Sequence, residues 1–214
     1  MRKFTLLTTA FLFIASLANA QITKGTVLLG GGISANTNKS ESDNNENESN
    51  GFSIFPAIGF TVKDNTVVGL RGGYSHSKSD YNNSYPEQEN NGYSLGVFMR
   101  KYLSLGKNFY LFGEGGVGYN HQNNSQTSSI DAKYISKGNG VSANLYPGIA
   151  YALNKRIHLE ASINNLISLG YYTSKTENIS MGSQTSSKAN GFSFDTNVST
   201  SVPLSLGFRF VLGK

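Results

Sequence analysis

His158, Glu160 and Ser162 are side chains of the types that nucleophilic hydrolases combine. On an extended strand their i, i+2, i+4 spacing puts all three on one face. Successive Cα atoms on such a face lie about 6.6–6.8 Å apart, longer than the hydrogen bond that a nucleophile and its base need. The alternating residues Ile157, Leu159, Ala161 and Ile163 make the opposite face apolar. The spacing therefore predicts a structural role for the three, and no catalytic residue. Gly30, Gly31 and Gly32 invite comparison with a phosphate-binding loop, but no helix pattern follows them, only a polar stretch from Thr37. Glycines in a strand permit curvature and close packing instead. The acidic residues Glu41, Asp43, Glu46 and Glu48 lack the spacing and the closing Glu of a calcium loop, and His76 and His121 suggest no metal set. No cofactor and no metal are expected.

The elements that carry these residues begin after a leader. Arg2 and Lys3 precede an apolar stretch from Phe4 to Leu17, and Ala18-Asn19-Ala20 follows as a small-x-small cleavage site, so residues 1–20 are predicted to be a signal peptide. Residues 21–214 then form one domain of ordinary size. The chain has no cysteine, which excludes both a lipid-attachment site and a disulfide framework. Losing Arg2 and Lys3 lowers the formal charge from +5 to +3, and no Lys/Arg-rich run remains, so nucleic acid is not an expected partner. Beyond Gln21 no apolar run reaches the eighteen or so residues a membrane helix requires. Abundant Gly, Tyr and Phe and segregated Asn and Ser are instead the make-up of strands and polar connections.

Long polar stretches at about 37–50, 79–91, 121–139 and 173–190 alternate strictly with short turns at Lys63-Asp64-Asn65, Ser104 to Asn108 and Asn154-Lys155-Arg156. Seven connections imply eight strands, near 24–36, 51–62, 66–78, 92–103, 109–120, 140–153, 157–171 and 191–212. Most are long enough for a tilted strand to cross a bilayer. Period-2 patterning gives each an apolar face: Phe52, Ile54, Ile58, Phe60 and Val62; Val141, Ala143, Leu145, Ile149, Tyr151 and Leu153; and, in the last, Val202, Leu204, Leu206, Phe208, Phe210 and Leu212. A soluble barrel alternates too, with its apolar face inward. The leader, the one-sided loop lengths and the aromatic residues favour the membrane. Phe60, Tyr102, Phe109, Tyr110, Tyr151, Phe208 and Phe210 fall near the short turns, and Tyr74, Tyr93, Tyr119, Tyr171 and Tyr172 near the long stretches, as two interfacial girdles. The expected fold is all-β: an eight-stranded antiparallel transmembrane up-and-down β-barrel with both termini periplasmic and four polar loops outside.

This plan resembles the OmpX/Ail, OmpW and OmpA-barrel groups, and more broadly the outer membrane protein β-barrel domain. The segment Pro203-Leu204-Ser205-Leu206-Gly207-Phe208-Arg209-Phe210 also resembles the closing strand that barrel-assembly machinery recognises, although the chain runs on through Val211 to Lys214. The resemblance implies a place in the bacterial outer membrane, with outer-membrane lipid, lipopolysaccharide and the assembly machinery as partners. It rests on pattern and transfers no binding site.

Strand parity then assigns Arg71, Arg100, Glu114, His158, Glu160 and Arg209 to the lumen. The interior of an eight-stranded barrel is only wide enough for side chains to fill, so these charges must pair, Glu114 with Arg71 or Arg100 and Glu160 with Arg209. The expected function is a non-enzymatic surface scaffold with a plugged lumen. A channel or sensor for a small solute or apolar ligand is the alternative, and a lipid-modifying enzyme comes third.

Overall fold

The computed structural model describes residues 22–42, 45–81, 87–127, 132–163, 166–180, 183–196 and 204–213. The expected signal peptide, Asp43, and Val202 and Pro203 lie outside them. Among the described residues ten β-segments follow one another: β1 (Val27–Ser42), β2 (Asn45–Lys63), β3 (Thr66–Tyr81), β4 (Glu87–Ser104), β5 (Phe109–Thr127), β6 (Lys133–Ala152), β7 (Ile157–Ile163), β8 (Ile167–Ser180), β9 (Ser183–Thr196) and β10 (Leu204–Leu212). Antiparallel ladders join β1 through β6 in sequence, then β6 to β7, β7 to β10 and β10 back to β1, which closes a ring of eight. The segments β8 and β9 continue the staves begun by β7 and β10, with β8 on the upper part of β6 and β9 on β8. Among the described residues the expected seventh and eighth strands are thus each represented by two segments.

Prolines mark two places where ladders break. Pro56 and its neighbour Phe55 have no partner in the β2–β3 ladder, which resumes at Ile54↔Tyr74 and Ala57↔Arg71. Tyr146 and Pro147 sit where β6 changes partner, from Leu145↔Ile167 of β8 to Gly148↔Ser162 of β7. A proline has no N–H to give to a ladder, so each break falls where pairing was already weakest.

The barrel has two unlike ends, here called base and crown. At the base are the three short turns. Asn65 takes a left-handed φ of 61° in the turn between β2 and β3, and its side chain accepts the Ile22 N–H at 3.0 Å, tying the N-terminal residues across the opening. At the crown, four hairpins continue far past the expected strand ends. The polar stretches expected to be loops are mostly paired ribbon: β1 and β2 keep one register from Val27↔Phe60 to Ser42↔Asn45. β6 has 20 residues, whereas about 9–11 suffice for a tilted strand to cross the apolar layer. Composition marks these stretches as hydrated, and a two-stranded ribbon satisfies that as well as a loop does, because its hydrogen bonds are backbone ones.

The apolar pattern points outward. Leu95, Val97, Met99 and Leu103 of β4 are exposed on the outer wall, as are Phe208, Phe210 and, at 78% exposure, Leu206 of β10. A soluble protein does not leave a continuous apolar belt of this kind in water. The strands span a membrane, with lipid against this face. Two expected girdle residues are inside instead. Tyr102 and Tyr110 share the parity of Arg100 and Glu114 and are 2% and 5% exposed. Tyr172 is also on the inner parity, facing Gly191, whose missing side chain leaves room for its ring. Phe60, Phe109, Tyr151, Phe208 and Phe210 toward the base, and Tyr74, Tyr93, Tyr119 and Tyr171 toward the crown, keep the outward parity.

Candidate functional site

The lower lumen is filled from every side of the ring. Leu28 of β1, Val67 of β3, Phe98 and Tyr102 of β4, Tyr110 and Phe112 of β5, and Ala150 and Ala152 of β6 form an apolar plug above Ile22. Glycines make space for it: a Cβ on Gly69 would drive into the Phe98 ring and the Ile58 carbonyl, and one on Gly148 into the Phe112 ring. The charged residues rest on this floor.

Arg100 stands at their centre, 2% exposed, its guanidinium 4.0 Å from the centroid of the Phe112 ring. Its Nε donates to Glu114 Oε2 at 2.6 Å, and its Nη1 donates to Glu160 Oε1 at 2.6 Å and to the Tyr102 hydroxyl at 3.0 Å. Tyr102 donates in turn to Glu160 Oε1 at 3.2 Å, and Arg209 Nε donates to the same oxygen at 3.0 Å. On the other flank Tyr146 donates to Glu114 Oε1 at 2.5 Å, and Arg71 Nη2 lies 3.1 Å from that oxygen. Strands β3, β4, β5, β6, β7 and β10 each contribute a member. In surroundings this dry, unpaired charges would be costly, and short charge-assisted hydrogen bonds offset that cost.

All six charge-bearing residues assigned to the lumen from parity lie on the inner face, but they are not one set. Arg71, Arg100, Glu114, Glu160 and Arg209 surround a single cavity of about 410 Å³. His158 lies below it, stacked on Tyr110 at 5.6 Å, with no hydrogen-bond partner for Nδ1 among the described residues. Glu160 is committed to Arg100, Arg209 and Tyr102, so it does not form the bond to Nδ1 that would orient the histidine of a hydrolase. Toward the crown, His76 Nδ1 is 2.9 Å from Asn91 Oδ1 and His121 Nδ1 is 2.9 Å from Asn139 Oδ1. No group of three or more metal-ligating side chains occurs among the described residues. Of the two tyrosines of the network, Tyr102 was expected in the outer girdle and Tyr146 was not singled out from the sequence, yet parity carries both: Tyr102 two residues after Arg100, and Tyr146 between the outward Leu145 and Pro147.

An outward apolar belt around a charge-filled lumen, on a ring of eight antiparallel strands, is the build of a small outer-membrane barrel. Over residues 4–210 the sequence matches the model of the outer membrane protein beta-barrel domain. The chain belongs to this family. Outer-membrane barrels of known structure are similar to it at low identity. A major outer membrane protein from Thermus thermophilus is 13% identical, with a TM-score of 0.51 over 91% of this chain and 100% of its own. OprG from Pseudomonas aeruginosa is also 13% identical, with a TM-score of 0.45 over 90% and 98%. Neisserial surface protein A is 18% identical, with a TM-score of 0.36 over 90% and 99%. No curated protein sequence matches the chain. Membership of the family indicates the bacterial outer membrane.

Proposed function

We propose that this protein is a non-enzymatic scaffold of the outer membrane whose lumen is closed to solutes. Its short turns would lie in the periplasm with both termini, and its four long hairpins would face the medium beyond the lipopolysaccharide. The unequal ends support this orientation, because barrels of this kind carry short turns inside and long connections outside. The observation that carries the closed lumen is Arg100, which reaches both Glu114 and Glu160 and is held over Phe112. A hydrated ion would have to part these bonds and then the apolar plug beneath them. Reconstituted into planar bilayers, the protein is expected to give no steady current. Sustained single-channel conductance would overturn the proposal.

A second reading has one feature in its favour. Among the described residues β1 pairs with β10 only from Val27↔Leu212 to Gly30↔Arg209, and beyond Gly30 its edge on that side has no ladder partner. Among the described residues the ring is closed at the base and unpaired along this seam above Gly30, which would let a membrane-dissolved molecule reach the lumen from the side without crossing the plug.

A further inference from the structure

Gly31 begins the split. Its φ of 140° suits glycine, and a Cβ there would collide with the Phe55 carbonyl across the ladder. On the opposing edge stand Leu206, Gly207 and Phe208 of β10. These three, with Gly31 and Gly32, line both the lumenal cavity and an apolar groove of about 510 Å³ on the outer wall, which continues over Leu29, Ile33, Ile54, Pro56 and Phe210. Cavity and groove therefore meet at one rim, and three of its five residues are glycines.

The cavity at this rim is not electrically balanced. Arg71, Arg100 and Arg209 line it against Glu114 and Glu160, an excess of one positive charge. Arg100 gives its Nε and Nη1 to both carboxylates and Tyr102. Arg71 Nη2 and Arg209 Nη1 are buried without a hydrogen-bond partner among the described residues, but Arg71 Nη2 has Glu114 Oε1 at 3.1 Å. Arg209 is 8% exposed, and its Nε serves Glu160, while its Nη1 has no such neighbour among the described residues. That nitrogen lies against Gly30, one residue before the split, 3.3 Å from where a Cβ would stand. A buried guanidinium N–H without an acceptor is costly, and an anion supplies both the acceptor and the missing charge. Asp195, the acidic residue on the inner parity of β9, does not line the cavity.

We propose that the cavity binds the carboxylate of a single-chain amphiphile through Arg209 Nη1, with the tail leaving over Gly32 and Gly207 into the outer groove. A single negative charge matches the single excess positive one, and one narrow groove accommodates one chain. The proposal rests on the reading that the split admits molecules from the membrane.

The test uses the full-length protein in phosphatidylcholine vesicles, titrated with a fluorescent long-chain carboxylic acid and with the matching primary alcohol, against protein-free vesicles. The acid is expected to bind saturably and at least about tenfold more tightly than the alcohol, as loss of a charge-assisted hydrogen bond implies. Arg209→Met should abolish the difference. Should that variant lose heat-modifiable gel mobility, Gly207→Phe replaces it: open space surrounds Gly207, so the side chain obstructs the rim while leaving the charges intact, and binding should fall at least about tenfold. Equal binding of acid and alcohol would overturn the carboxylate site while leaving lateral entry standing. Binding of neither, or binding unaffected by Gly207→Phe, would overturn lateral entry as well. Displacement by butyrate as effective as by the long-chain acid would show a site for soluble anions and overturn the amphiphile.

Discussion

The two halves of the barrel use the same backbone ladder for opposite ends. At the base the inner positions carry Leu28, Val67, Phe98, Arg100, Phe112 and Glu114, each no more than 3% exposed. At the crown the same parity carries Ser94, Gly96, Gly118, Asn120, Ser142 and Asn144, and the lumen is lined by small and polar groups around a cavity of about 160 Å³. The base is held by buried side chains, and the crown mainly by backbone pairing with exposed or half-buried side-chain contacts along it. Substitutions at the base should therefore be felt strongly, and those at the crown hardly at all.

The largest effect is expected from Glu160→Ala. It strips Arg100 and Arg209 of a shared acceptor and leaves both guanidiniums buried, a change that costs about 3–5 kcal/mol where a buried pair is broken. Urea unfolding of the folded, heat-modifiable form should show the loss. An unchanged midpoint would mean that the network is incidental to the base. Glu114→Ala should destabilise in the same range, and the same protein examined in planar bilayers tests whether the network or the apolar floor blocks ions.

A second effect is steric. At Gly148 any side chain meets the Phe112 ring and the Ala161 carbonyl, so Gly148→Val should cost about 1–3 kcal/mol. Gly113, on the outer wall of the next strand, has nothing within 4 Å, and Gly113→Val should leave the midpoint where it was. Equal costs would show that the base is not packed as tightly as its distances imply. His158→Phe should act the other way. It keeps the stack on Tyr110 and removes a buried nitrogen without a partner, so stability should hold or rise by about 1 kcal/mol.

What was legible in the sequence follows the same division. The base was readable because burial on one face and lipid on the other leave a period-2 record: Ile157, Leu159 and Ala161 outward, His158 and Glu160 inward. Parity alone placed Arg71, Arg100, Glu114, Glu160 and Arg209 on the inner face. The reading failed where aromatic type outweighed position, since Tyr102, Tyr110 and Tyr172 read as girdle residues although their parity is the inner one. The crown left a weaker record. Water wets both faces of its ribbons, so Ser, Thr and Asn recur without alternation and strand could not be told from loop. The split was hidden for another reason. It arises from which staves pair above Gly30, a long-range choice, and only Gly31 and the rim glycines hint at it locally.

The smallest effects belong to the crown's ion pairs. Lys175 Nζ lies 2.5 Å from Glu177 Oε1, and Lys78 Nζ lies 2.6 Å from Glu87 Oε1, all on ribbon beyond the apolar belt. The hydrogen bond from Lys175 holds the Glu177 carboxyl below its usual range, and the one to Glu87 raises Lys78 above the usual amine range. A carboxyl depressed in the folded state contributes stability that is present above its unfolded pKa and lost as pH falls through the folded value; an amine raised in the folded state contributes stability that is present below its unfolded pKa and lost as pH rises through the folded value. Around neutrality both pairs are intact. Both are open to solvent, where screening and side-chain entropy leave such pairs little net effect. Lys175→Ala combined with Lys78→Ala should thus leave the unfolding midpoint unchanged at neutral pH, and adding salt should not separate variant from parent. A clear loss in the double variant would mean that the crown is braced by its side chains, and the contrast between the two halves would fail at its simpler end.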